Sequence, residues 1–218
     1  MASKVYFTDF CTGGRETLPQ KLARLIKTAG MQEIDFENKY TAIKIHFGEP
    51  GNLAYLRPNY AKVVVDQIKA QGGRVFLTDC NTLYVGRRKN GLDHLDAAYE
   101  NGFSPFSTGC HVIIADGLKG TDDVAVPVEG GEYCKEAYIG RAVMDADIVI
   151  SLNHFKGHEE AGFGGAIKNL GMGCGSNRGK RDMHSCGKPS VDESKCVACG
   201  QCAKNCAHDG PQLRDGKM

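Results

Sequence analysis

The chain has 218 residues, with 27 Lys and Arg against 26 Asp and Glu, and so near-neutral a balance provides no global attraction to nucleic acid or to an anionic membrane. Hydrophobic residues at 41% and charged residues at 24% suit one sizeable globular domain with a small appendage, and no apolar run of about eighteen residues is present to span a bilayer. Ten cysteines, with no basic-then-apolar leader at the start, fit a reducing compartment, so a cytoplasmic location is expected and clustered thiols read as metal or redox ligands rather than disulfides.

Short β-branched apolar runs bounded by turn residues predict strands over residues 5–8, 42–47, 75–78, 112–115 and 148–152. Helical patterns lie between them. Residues 18–28 place Leu22, Leu25, Ile26 and Ala29 at helical spacing and stop at Gly30. Pro58 opens a helix over 59–71 whose buried side is Ala61, Val63, Val64 and Ile68, and Gly72-Gly73 ends it. Residues 92–100 and 138–144 predict two more helices. Strands separated by helices of this length imply parallel pairing, hence an α/β layered domain with a mostly parallel sheet and flanking helices. That domain is expected over 1–188. Residues 189–218 are short, polar and cysteine-dense, and read as a small ferredoxin-like segment.

Ligands of an open parallel sheet gather beyond the carboxyl ends of its strands. Here the expected strands run into His46, Gly48 and Glu49, into Asp79, Cys80 and Asn81, into Asp116, and into Asn153, His154, Lys156 and His158. Lys44 and His46 share one side of their strand by its period of two. One rim is therefore expected to collect His46, His154, His158, Lys156 and Asp79 as a catalytic group, with a second metal ion as a further ligand of the histidines. The plainer alternative is that each histidine braces a loop or a strand end through a hydrogen bond. His154 and His158 are four apart, a metal-pair spacing in a helix, but the preceding strand and Gly157 favour a loop, and Gly162 stands where a zinc-protease motif needs its second histidine.

Gly162, Gly164 and Gly165 precede a predicted helix start at 166–170, where backbone N–H groups and Lys168 suit an anion. The glycines fit neither G-x-G-x-x-G nor the Walker pattern, and close packing explains them equally well. Arg178, Lys180 and Arg181 form a local basic group, read either as a solvated helix start or as anion-binding.

Cys196, Cys199, Cys202 and Cys206 carry the strongest signal. Their C-x2-C-x2-C-x3-C spacing is the thiolate pattern of a bacterial-ferredoxin 4Fe–4S cluster. A structural zinc site is the rival, but zinc knuckles pair two separated C-x2-C units, and here four cysteines fall within eleven residues. In two-cluster ferredoxins the fourth cysteine serves the other cluster, so one cluster here implies a second, with its own cysteine run. No such run follows before Met218, which leaves a truncated longer protein, ligands from a partner, or completion by Cys186 or Cys174.

The stretches K-I-H-F-G-E-P-G-N at 44–52, R-V-F-L-T-D-C-N-T at 74–82 and H-F-K-G-H-E-E-A-G-F-G-G-A-I-K-N-L-G-M-G at 154–173, followed by the cysteine run, resemble the iron–sulfur family known as domain of unknown function 362. The resemblance implies an α/β domain carrying a two-cluster ferredoxin segment, electron transfer and a rim site, with no particular substrate. The expected function is thus iron–sulfur electron transfer or a component of an oxidoreductase. Its partners would be a redox protein or a small-molecule acceptor, not nucleic acid or membrane, and a homo-oligomer is compatible with the sequence. The alternatives are a metal-dependent enzyme whose cluster is structural, and a protein that donates its cluster.

Overall fold

A computed structural model describes residues 3–14, 16–159, 161–184, 190–206, 211–214 and 216. The first helix, α1 (Leu18–Thr28), starts at a capping box in which Thr17 accepts from the Gln20 backbone and the Gln20 side chain accepts from Thr17 N–H. It ends before Gly30, whose φ of 95° only glycine adopts freely. Strand β1 (Tyr40–Lys44) follows, then α2 (Pro58–Lys69), β2 (Arg74–Asp79) and α3 (Gly91–Glu100), which Asn90 caps by accepting from Leu92 and Asp93 N–H. A one-turn helix α4 (Pro105–Thr108) leads into β3 (His111–Ile114). An antiparallel hairpin, β4 (Asp123–Pro127) with β5 (Glu136–Gly140), and the short α5 (Arg141–Met144) precede β6 (Ile148–Ser151). A second hairpin, β7 (Lys156–His158) with β8 (Gly162–Gly164), leads to α6 (Ala166–Gly171) and α7 (Asn177–His184). The cysteine-rich segment contributes α8 (Gln201–Asn205).

The main sheet is parallel throughout, in the order β3-β2-β1-β6, with Ile43 opposite both Leu77 and Ile150. The central strands β1 and β2 are buried at every position after the first, as expected where both faces are covered. Edge strand β3 instead alternates exposed and buried residues. The main core joins Ile43, Ile45 and Leu77 to Val64, Val65 and Ile68 of α2, with Phe36, Phe47 and Phe103. A smaller cluster holds Cys80, Ala115, Val143 and Cys174. No helix among the described residues is long and apolar enough to cross a membrane.

The α/β reading holds, with local corrections. Residues 5–8 form no strand: Val5 and Phe7 are exposed, because an apolar run needs a free sheet edge and this one meets none. The helix expected at 138–144 is strand up to Gly140, since pairing with β4 outweighs its helical pattern, and only Arg141–Met144 turns helical. Val65, not Val63, completes the buried side of α2. The loop expected after β6 folds into the β7–β8 hairpin.

Candidate functional site

The chain moves outward from β1 through β2 to β3 and then returns to place β6 on the other side of β1. Such a reversal leaves a crevice beyond the carboxyl ends of the two strands it separates. A cavity of about 410 Å³ opens there. Lys44 and His46 from the end of β1, Asp79 and Cys80 from β2, and Asn153 and His154 after β6 line it, and the β7–β8 hairpin and the α6 region supply Lys156, His158, Gly164, Gly165 and Lys168.

Its floor is a network of buried charge. Lys44 Nζ lies 2.8 Å from Asp79 Oδ1 and donates to Asn169 Oδ1, also at 2.8 Å. Asn169 in turn donates to the Lys44 carbonyl and to Ser151 Oγ, which ties α6 to β1 and β6. Arg88, from the loop after β2, reaches Glu49 Oε2 at 2.5 Å and Asp79 Oδ2 at 3.3 Å, and donates to the Tyr84 hydroxyl. Burial would raise the pKa of Asp79, but the charge of Lys44 leads the neighbours that hold it far below the usual carboxylate range. Glu49 is likewise lowered, its burial outweighed by hydrogen bonds from Arg88 and the Arg87 backbone. Gly173 fits against Lys44 because it lacks a side chain: a Cβ there would sit 2.7 Å from Nζ and 2.0 Å from the Asn169 carbonyl oxygen.

His46 stands over this floor. Gly48 N–H donates to its Nδ1 at 3.0 Å, and Arg88 Nη2 is 3.0 Å from its Nε2. Both nitrogens face donors, so a proton added to the ring gains no acceptor. Desolvation first and the Arg88 charge second pull its pKa down to about 4. The residue is nonetheless exposed to the cavity, and its imidazole is neutral at pH 7. The turn beyond it needs Gly48, whose φ is 84° and where a Cβ would lie 2.6 Å from the Tyr55 ring.

Behind the floor, Asn81 donates to Asp116 Oδ1 and the Gly117 carbonyl, each at 2.9 Å. With its amide hydrogens spent, its oxygen faces His94 Nδ1 at 3.3 Å, which assigns the ring proton to Nδ1. His94 Nε2 has no hydrogen-bond partner and lies 3.8 Å from Asp79 Oδ2. Burial takes its pKa down to about 4. Asp116 is also fully buried with Oδ2 unpartnered, and burial pushes its pKa up to about 6. Cys80 is no free nucleophile: burial drives its thiol pKa far up, and Sγ donates to the Cys174 carbonyl at 3.2 Å.

The structure thus brings His46, Asp79, His154, Lys156 and His158 to one cavity, with Gly164, Gly165 and Lys168 on its wall, while Gly162 sits in β8 outside the lining. Lys168 Nζ is 2.6 Å from His158 Nε2. Among the described residues, no three His, Cys, Asp or Glu side chains are grouped to hold a metal ion. Sequence reasoning missed Arg88, Tyr84, Asn169 and His94. Arg88 lies in a loop without periodicity, and Asn169 and His94 gain their roles only from packing across the sheet. Lys180, one of the basic residues left between two readings, is buried and lines the cavity.

In the cysteine segment, Cys199 and Cys202 are exposed and Cys196 and Cys206 half-buried. The backbone turns at Ala198 (φ 56°) and Gly200 (φ 72°) before entering α8. Four thiols are the donor type of an iron–sulfur cluster, but no three of them are grouped as a metal site among the described residues. Cys174, the alternative fourth ligand, is buried beside Cys80. Cys186 lies outside the described residues.

A thylakoid-associated protein of Synechocystis is 24% identical over 163 residues, which cover 68% of this chain and 44% of that protein. The chain thus spans less than half the length of this curated relative. No solved structure matches it. Residues 41–207, from the first residues of β1 through the cysteine run, match the family described as Domain of unknown function (DUF362), and the chain belongs to that family.

Proposed function

We propose that this protein is an iron–sulfur-linked redox protein, an electron carrier or oxidoreductase component, whose rim cavity receives the small molecule or partner group that exchanges electrons. The observation that carries this reading is the C-x2-C-x2-C-x3-C run on a loop with left-handed turns at Ala198 and Gly200. Cys196, Cys199 and Cys202 would hold a 4Fe–4S cluster, with Cys206 serving a second. A bound cluster supplies one-electron transfer at a potential set by burial and by N–H groups donated to sulfur.

At the rim, the chain's own groups define what is bound. His46 is a neutral imidazole at pH 7. Burial, which outweighs the Arg88 charge, raises the pKa of Tyr84 and keeps its phenol protonated. Because Arg88 donates to its oxygen, the Tyr84 O–H is available to an oxygen of a ligand. The buried Lys44–Asp79–Arg88 network holds these groups in position without reorganisation.

Anaerobic reconstitution with iron and sulfide tests the reading. A broad blue absorption that bleaches on reduction, with iron and sulfide bound in equal amounts, is the expected result. Stoichiometric zinc in anaerobically purified protein, with no iron taken up, overturns it.

A further inference from the structure

The charge in the cavity is unbalanced. Among the described residues, Lys44, Arg88, Lys156, Lys168 and Lys180 line it against two carboxylates, Glu49 and Asp79. Both carboxylates are already ion-paired, Asp79 with Lys44 and Arg88, Glu49 with Arg88. None of the other three ammonium groups is ion-paired to a carboxylate among the described residues. Lys156 donates to the Gly157 carbonyl, Lys168 meets His158 Nε2, and Lys180 donates to the Gly175 carbonyl.

Lys180 is the most telling of these. It is only 7% exposed, yet no carboxylate lies within ion-pair distance among the described residues. A buried ammonium without a counterion is costly, and a negative charge arriving from outside would offset that cost. Asp116 feels Lys180 through space, but the two form no ion pair, and Asp116 Oδ2 is left without a hydrogen-bond partner. Exposed Glu159 feels Lys156 and Lys168 from outside the lining. The excess is local, since the whole chain carries a formal charge of only +1.

We infer that the rim cavity binds a small polyanion, a molecule with at least two negative charges on phosphate or carboxylate oxygens, through Lys156, Lys168 and Lys180. Its uncharged part packs against Tyr55, Tyr84 and Met172, which also line the cavity. A volume of about 410 Å³ suits one metabolite-sized ligand, near the lower end of small-molecule sites (roughly 300–1,000 Å³). Ammonium groups on flexible stems bind oxyanions as point charges, so phosphate and clustered carboxylates satisfy the same chemistry. The inference names the ligand class of the cavity and rests on reading that cavity as the substrate site.

Calorimetric titration of the full 218-residue chain with pyrophosphate, and separately with citrate, each against chloride at matched ionic strength, tests it. Saturable binding of at least one is expected, and whichever binds tighter assigns phosphate or carboxylate chemistry. Lys168→Gln should weaken binding about tenfold, as losing one charge-assisted hydrogen bond implies, while Lys168→Arg retains most of it. Lys180→Gln should weaken it more. If that buried substitution prevents folding, Lys156→Gln and Lys168→Gln carry the test. No saturable response to either anion, or affinity unchanged in both of those variants, overturns the inference. Pairing the titration with anaerobic reconstitution keeps the two readings apart. Anion binding by an unsubstituted chain that takes up no iron and sulfide removes the redox assignment alone, whereas a cluster-loaded chain that ignores both anions removes this one alone.

Discussion

At the rim of the sheet, Lys44 and Asp79 are 1% and 5% exposed in their side chains and held together at 2.8 Å, whereas Cys199 and Cys202 of the cysteine segment lie at the surface of a turn and a five-residue helix. The rim is organised by folding itself: strands, a buried ion network and packed glycines place every side chain before a ligand arrives. In the segment, Asp192 caps Ser194 and pairs with Lys195, and Asn205 reaches back to Gln201, all local contacts. Thiolates of this kind are commonly drawn together by the metal they bind, whose binding energy then becomes folding energy. The two regions therefore differ in what holds them, and perturbations should separate them.

The largest effect is expected from Asp79→Ala. It strips Lys44 and Arg88 of a buried counterion, and such broken pairs cost about 3–5 kcal/mol, read as a lowered urea midpoint. The matched change in the other region, Cys202→Ser, should leave that midpoint of the cluster-free chain unmoved yet abolish the blue absorption on reconstitution. A large stability loss in Cys202→Ser would show that the segment is organised by folding after all.

Gly173→Ala comes next. Its Cβ would meet the Asn169 carbonyl and Lys44 Nζ inside contact distance, so a cost of roughly 1–3 kcal/mol is expected, as for other overpacked sites. The same substitution at Gly157, where a Cβ meets nothing within 4 Å, should change the urea midpoint far less. Equal losses at the two positions would mean that the floor of the cavity is not tightly packed.

The smallest effect concerns pH. Asp116 has a folded pKa raised to about 6, so its contribution favours the folded state at low pH and is lost as pH rises through that value. His94 has a folded pKa lowered to about 4, below its unfolded value near 6.5, so its contribution is lost as pH falls. Between about pH 4 and 6 the two oppose each other, with His46, open to the cavity, adding weakly to the histidine side. Asp116→Asn removes one arm while Oδ1 still accepts from Asn81. Its stability should then fall more steeply than the wild type's on acidification from pH 6.5 to 4, as urea titrations at several pH values would show. Parallel curves would mean that Asp116 does not hold its proton in the folded state.

The cysteine spacing and most of the strand–helix alternation were legible from the residues alone, because both are local: thiolate positions within a loop, and apolar periods of two and of 3.6. His46, Asp79, His154 and His158 were also readable as rim residues, since each lies at or within a few residues of the end of an apolar run. Strand order was not. Only the packed sheet decided that β6 lies beside β1, and that reversal places the cavity. Nor could the residues alone reveal that Lys44, which looked like a strand-end lysine, is buried on Asp79, or that Arg88 from an irregular loop closes the same network. Likewise, Lys180 turned from a surface candidate into a buried cation. Ion pairs and buried charge depend on which distant segments meet, and a one-dimensional pattern carries no such distance.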